Sequence, residues 1–159
     1  MLNPYNKKNT SLDEKWMKLA INEALKAQSI GEVPVGAILV KKGQLISQGH
    51  NQPISKNDPT AHAEIQVIRD AGKKQKNYRL IGASLYVTLE PCAMCLGAMM
   101  HARIDRIFFG AYDPKTGVCG SCGDLSNANF FKHKINIKGG ILENECKELL
   151  HSFFKLRRK

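Results

Sequence analysis

Two short stretches carry side chains whose types and spacing can do chemistry. The first is His62-Ala63-Glu64 in PTAHAEIQVIRDAG, an imidazole and a carboxylate at the head of an otherwise helical pattern. Residues of a regular helix turn by about 100° each, so positions i and i+2 point to nearly opposite sides. The pair can share a task only if the helix begins at His62, where side chains are not yet locked into the regular wheel. The second stretch is Cys92-Ala93-Met94-Cys95 in EPCAMC, which sets thiols at i and i+3 on one helix face. Exposed N–H groups at a helix N-terminus lower a thiol's pKa, so both sulfurs can meet a metal as thiolates. One imidazole and two thiolates are three protein ligands for zinc, which leaves a fourth position for water, as in catalytic rather than structural sites. A carboxylate that is not a ligand can then carry protons, and Glu64 is placed to do so. The expected geometry is a helix starting within a residue or two of His62, its N-terminus aimed at the metal.

Other chemistry is compatible with the cysteines alone. A lone C-x-x-C also serves as a redox pair or as two buried small hydrophobes. A second pair, Cys119 and Cys122 in GVCGSCGD, allows a four-cysteine structural zinc site. The 23 residues between the pairs exceed the usual spacing of about 15–20, and that reading leaves His62 and Glu64 without a role. With Cys146 the cysteine count is 5, an odd number, and MLNPYNKKNT has no apolar core of a secretory signal, so a disulfide framework is not expected.

The elements that must position these groups follow from pattern. Thr10 or Ser11 is read as the cap of a first helix, with Asp13 and Glu14 in its first turn and Gly31 at its end, and residues 1–11 as a mobile N-terminal extension. VPVGAILV and QLISQGH read as a hairpin turned at Lys42-Gly43. Residues 51–60 are loop by composition, and the His62 helix runs to Ala71 or Gly72. ASLYVTL and RIFFGA are strands, with a helix between them that takes Pro91 as its first residue. Residues 112–130 read as a long loop with one short helical turn, KINIKGGI as a fifth strand, and LENECKELLHSFFKLRRK as a C-terminal helix. Strands alternating with helices after a hairpin predict one α/β domain over 1–159, with helices on both faces of a mixed sheet.

Bulk numbers narrow the partners. The net charge is +10; residues 1–80 hold 13 basic and 7 acidic side chains and residues 81–159 hold 11 and 7. The excess is spread over the chain, which favours a polyanionic partner and long-range steering toward it. No apolar run approaches the roughly 20 residues of a membrane helix. A cytoplasmic protein without a membrane partner is expected.

The combination His62-x-Glu64 with Pro91-Cys92-x-x-Cys95 resembles the signature of zinc-dependent nucleobase deaminases. The resemblance extends to the bacterial tRNA-specific adenosine deaminase family through GEVPVGAILV, GHNQP, DPTAHAEI, the long stretch NYRLIGASLYVTLEPCAMCLGAMMHARIDRIFFGAYDPKTG, and LLHSFFKLRRK. It implies a cytidine-deaminase-like three-layer α/β/α sandwich with a five-stranded mixed sheet. It implies one zinc per subunit on His62, Cys92 and Cys95, with Glu64 as proton shuttle. It implies hydrolysis of the wobble adenosine of an arginine tRNA to inosine by a homodimer, RNA being contacted by both subunits. Asn51 is then expected to hydrogen-bond the flipped nucleoside, Asp113 to contact the neighbouring ribose, Val33 and Pro34 to wall the base pocket, and Lys155, Arg157 and Arg158 to touch RNA. Turn chemistry is the plainer role for Asn51 and Asp113. The LGAMMHARI helix face is the expected dimer contact. Two other readings stay open on residues alone: a deaminase of free bases or nucleosides, and a non-catalytic module on four cysteines.

Overall fold

The computed structural model describes the backbone of residues 5–158 and the side chains of 12–158. A long helix, α1 (Tyr5–Ser29), leads into a hairpin of β1 (Gly36–Lys41) and β2 (Gln44–His50). Lys42 and Gly43 both have positive φ, 51° and 70°, the backbone of a two-residue turn whose twist matches its strands. A one-turn helix, α2 (Pro53–Lys56), interrupts the expected loop, and α3 (Ala63–Gln75) follows. Then come β3 (Ala83–Leu89), α4 (Ala93–His101), β4 (Arg106–Ala111), a 3₁₀ turn at Leu125–Asn127, β5 (Asn136–Lys138) and α5 (Glu143–Arg157).

The strands form one open sheet in the order β2-β1-β3-β4-β5. The two β1 pairings are antiparallel, and the β3–β4 and β4–β5 pairings are parallel. Alternation along the strands feeds two apolar layers. Ala37, Leu39, Leu85, Val87, Ile107 and Phe109 meet Val67 and Ala71 of α3 and Leu96, Met99 and Met100 of α4. Ile38, Val40 and Tyr86 meet Met17 and Ala20 of α1 and Cys146 of α5 on the other face. The expected three-layer α/β/α arrangement around a five-stranded mixed sheet is present. Gly36 admits α1 against β1: a Cβ there would fall 2.8 Å from that of Glu23 and closer still to the α1 backbone.

Several boundaries differ from the pattern reading. Helix α1 begins at Tyr5 and not at Thr10 or Ser11, because no Gly or Pro between them breaks it; Asp13 and Glu14 therefore lie beyond its first turn. Residues 1–4 of the expected extension lie outside the described residues. Helix α3 passes through Gly72 and ends at Lys76, which takes a left-handed φ of 51° while its N–H meets the last carbonyls. Strand β1 starts after a tight turn in which Val35 N–H donates to Val33 O at 2.8 Å around Pro34. Helix α4 begins at Ala93 with Cys92 as its cap, so Pro91 precedes the helix and is not its first residue. β5 keeps only Asn136–Lys138 of the eight-residue stretch read as strand. No helix among the described residues is long and apolar enough to cross a membrane.

Candidate metal centre and its cavity

The N-termini of α3 and α4 converge. His62 is the cap residue of α3, with extended φ and ψ of −67° and 155°. Cys92 is the cap of α4, with φ and ψ of −82° and 173°. In both, the carbonyl accepts the first helical bond, from Gln66 N and Leu96 N, while the side chain caps nothing and turns inward. Cys95 follows one turn into α4 and is fully buried. His62 Nδ1 lies 3.7 Å from Cys92 Sγ and 3.5 Å from Cys95 Sγ. Zinc bonds of about 2.3 Å to sulfur and about 2.0–2.1 Å to nitrogen in a tetrahedron set N and S about 3.6 Å apart, so the three atoms fit that ion. Among the described residues this is the one group of three or more His, Cys, Asp or Glu donors close enough to share a metal. Cys119 and Cys122 stand outside it. Cys119 bridges to Asp124, and the exposed Cys122 thiol donates to Pro114 O at 2.9 Å. The four-cysteine site is therefore not formed.

The electrostatics suit a thiolate site. The hydrogen bond with Cys95 pulls the Cys92 thiol down to about 4, helped by His62, and the same bond together with burial pushes Cys95 up. The hydrogen bond with Cys92 raises His62, against the effect of burial. Metal binding would take the remaining thiol proton. Glu64, second residue of α3, is 4% exposed; burial lifts its carboxyl above the usual range, opposed by hydrogen bonds with Cys95 and its own backbone N–H.

A cavity of about 200 Å³ opens on these groups, lined by His62, Glu64 and Cys92 and by Asn51, Val33 and Asp113 among others. That is smaller than the about 300–1,000 Å³ of sites for drug-sized ligands. Pro34 does not line it. Val35 and Leu89 stand beside Val33 in its apolar wall. Asn51 Oδ1 accepts from Ala63 N–H at 2.8 Å, so this asparagine holds the start of α3, and its amide N–H₂ is left to face the cavity. Asp113 performs the turn role: Oδ1 accepts from Lys115 N and Thr116 N, and Oδ2 from Thr116 Oγ1 at 2.7 Å. It lines the cavity as well.

Two buried carboxylates, Glu90 in this wall and Glu32 behind it, were not singled out by pattern. Glu90, 2% exposed, accepts from the backbone N–H groups of Asp113, Cys119 and Ser121 and from the Ser121 hydroxyl. Glu32, also 2% exposed, accepts from Ser55 N at 2.7 Å and Ser55 Oγ at 3.0 Å, and so holds α2 and its Pro53. Each flanks a central strand, so a rigid element fixes each loop. The other histidines serve elsewhere. His50 meets Glu23, His133 meets Ile104 O, and His101 and His151 are exposed.

The basic C-terminal residues divide. Arg157 donates to Gly31 O at 2.5 Å and lies 4.2 Å over the Phe153 ring, so its guanidinium is engaged within the chain. Lys155 and Arg158 are exposed. In LGAMMHARI, the side chains of Leu96, Met99, Met100 and Ile104 are buried in the core; Ala98 and His101 of that stretch, with Met94 just before it, remain for any contact across α4.

The family described as the cytidine and deoxycytidylate deaminase zinc-binding region matches residues 10–111, which include all three metal donors and Glu64. The chain is similar to the tRNA-specific adenosine deaminase of Haemophilus influenzae, 46% identical over 154 residues that cover 96% of this chain and 89% of the other. It is 46% identical to that of Bacillus subtilis, covering 92% and 91%. A structure from work on A-to-I editing by tRNA:A34 deaminases at the wobble position matches with a TM-score of 0.84 at 44% identity, covering 86% of this chain and 99% of that one. The guanine deaminase of Bacillus subtilis matches with a TM-score of 0.60 at 42% identity, over 62% of this chain and 64% of its own.

Proposed function

From a chain that belongs to the zinc-binding deaminase family, in its tRNA-specific adenosine deaminase branch, we propose hydrolysis of the wobble adenosine of a tRNA to inosine and ammonia. The observation that carries this is the convergence of His62 Nδ1 with the Cys92 and Cys95 sulfurs at 3.7 and 3.5 Å, beside a buried Glu64, at the floor of one cavity. His62, Cys92 and Cys95 hold zinc. When bound, zinc is the Lewis acid that makes water a nucleophile near neutral pH.

The chain's own residues do the rest. The adenine is flipped from its strand into the cavity, where Val33, Val35 and Leu89 cover its faces. The Asn51 amide N–H₂, opposite the oxygen that holds Ala63, donates to the nucleoside. Glu64 takes a proton from the attacking water and places it on adenine N1 as oxygen bonds to C6. It then carries the second water proton to the exocyclic nitrogen. The C6–N bond breaks, ammonia departs, and inosine keeps the N1 proton. A carboxyl that burial has raised accepts and returns protons near neutral pH more readily than an exposed one. Asp113 accepts from a ribose hydroxyl of the neighbouring nucleotide, a contact that favours RNA over DNA. Lys155 and Arg158 meet phosphates, and Arg157 braces the C-terminal helix against Gly31 at the approach to Val33. We infer an arginine tRNA as substrate, a homodimer and a cytoplasmic location.

Sequencing inosine in tRNA incubated with the wild type and with Glu64→Ala tests the reading. Wild type converts the wobble adenosine, and the variant keeps its zinc but converts none. Normal turnover by Glu64→Ala, or activity on free guanine with none on tRNA, would overturn it.

A further inference from the structure

A second hollow, of about 550 Å³, lies behind the wall of the catalytic cavity. The segment 50–56 is that wall. Asn51 and Pro53 face the cavity, whereas His50, Gln52 and Lys56 face the outer groove. The groove's floor is the outward side of α3, where Gln66, Arg69 and Lys73 recur at helical spacing.

Its charges are unevenly matched. Glu23 is buried and already engages Lys26 at 2.6 Å and His50 at 3.1 Å. Asp70 is engaged by Lys74 at 2.9 Å and by Ser47. Among the described residues Lys56 donates only to an uncharged oxygen, Gln66 Oε1, at 2.9 Å. Arg69 reaches Asp58 at 3.5 Å through an exposed pair that water screens. Lys73 forms no ion pair among the described residues. Three cations thus line one trough with little to neutralise them. The Gln66 Nε2 atom is buried and has no hydrogen-bond partner among the described residues. Because Oε1 of the same amide holds Lys56, the orphaned end is a donor, and it needs an acceptor. Cations set along a helix face, with a buried donor between them, suit a chain of anionic oxygens better than one compact anion.

We propose that this groove binds the phosphodiester backbone of the RNA strand whose base occupies the cavity, the strand crossing α2 to reach Lys56, Arg69 and Lys73. The proposal rests on the RNA substrate read above and adds a surface to it. Direction follows from the shared wall: a nucleotide flipped past Asn51 and Pro53 has its backbone at the rim from which Gln52 and Lys56 project outward.

Binding of an anticodon stem-loop RNA, measured over a salt series, tests this. Lys73→Glu and Arg69→Glu are compared with Lys147→Glu, an equal charge change at an exposed position on α5. Each groove variant should bind about tenfold more weakly, and its plot of log affinity against log salt should be shallower by roughly 0.7–0.9 for each phosphate no longer neutralised. Lys147→Glu should stay within about twofold of wild type with the same slope. Zinc content and thermal midpoint should match wild type in all three, which separates a weakened RNA surface from a damaged fold. Groove variants that match Lys147→Glu in affinity and slope overturn the proposal while leaving deamination intact. Displacement of the RNA by polyglutamate at equal charge concentration would also overturn it, assigning the groove to an acidic protein. A wild type that binds the stem-loop but forms no inosine defeats the catalytic reading, and the variant-to-wild-type ratio still decides the groove.

Discussion

The two halves of the catalytic cavity are built on different principles. The metal half consists of two helix N-termini whose cap residues, His62 and Cys92, aim their own side chains at the site. Everything it needs lies within four residues of each helix start. The facing half is made of loops, 31–35, 51–56 and 113–121, with no regular structure of their own to fix them beyond the single turn of α2. Acceptors anchored beside β1, β2 and β3 hold them from behind: Glu32 on Ser55, Glu90 on the N–H groups of the 113–121 loop, and Asn51 on Ala63. The first half positions chemistry by local backbone geometry, the second by long-range hydrogen bonds to backbone donors. Damage to the first should remove the reaction at constant fold, whereas damage to the second should loosen substrate binding and stability and leave the metal in place.

The largest effects belong to the metal half. Glu64→Gln keeps size and burial but cannot carry a proton. It should cut the rate by about 10²–10⁴-fold or more with zinc content unchanged, measured by single-turnover inosine formation and metal analysis. His62→Ala should lose both zinc and activity, since two thiolates alone leave the ion short of a ligand. Retained zinc in His62→Ala would show that the convergence of helix starts is not what holds the metal.

Glu90→Ala should come next. It removes the acceptor of three backbone N–H groups and one hydroxyl, and buried donors left without partners cost about 1–3 kcal/mol apiece. Loop relaxation to water returns part of that, so a loss of about 2–4 kcal/mol in a denaturant titration is expected, with KM for tRNA raised and zinc retained. Loss of zinc instead would erase the distinction between the halves, because Glu90 adjoins the Pro91-Cys92 corner. Glu32→Gln should be milder, about 1 kcal/mol or less, because the amide oxygen can still accept from Ser55. Its KM should rise less than that of Glu90→Ala.

The same contrast explains what could be read in the sequence. His62, Glu64, Cys92 and Cys95 were legible because a cap-based site writes itself into short spacings, and the i, i+2 conflict of His62 with Glu64 even required the helix to start where it does. Strands β2, β3 and β4 were legible as short runs, QLISQGH, ASLYVTL and RIFFGA, set between turn and helix signals. Glu32 and Glu90 were not, since their partners lie 23 to 31 residues away and no local pattern marks a carboxylate that will be buried on backbone N–H groups. Val35 and Leu89, which line the cavity beside Val33, were not singled out either, since no local pattern tells which apolar residue at a strand end will face a cavity. Arg157 was expected to touch RNA, and nothing local marks its bond to Gly31, 126 residues away.

The smallest expected effect concerns the second C-x-x-C, which lies in the loop half. If the halves are separate, Cys119→Ser and Cys122→Ser should each leave zinc content unchanged and activity within about twofold, as expected of substitutions that touch no ligand. The two thiols should nevertheless differ from each other. Burial, and then the charges of Glu90 and Asp124, push Cys119 up to about 12, so at pH 8 almost none of it is thiolate. Cys122 is exposed and its thiol faces only the Pro114 carbonyl. Iodoacetamide reacts with the thiolate, so mass spectrometry at pH 8 should find Cys122 labelled well before Cys119. Raising the pH to 10 should speed Cys119 in proportion to its growing thiolate fraction without bringing it level. Glu90→Ala removes one of the charges that hold Cys119 protonated and frees the loop that shields it. In that variant Cys119 labelling should accelerate, so the rate reads directly how far one buried carboxylate holds this wall closed. Equal labelling of Cys119 in wild type and Glu90→Ala would mean that the loop keeps its place without Glu90.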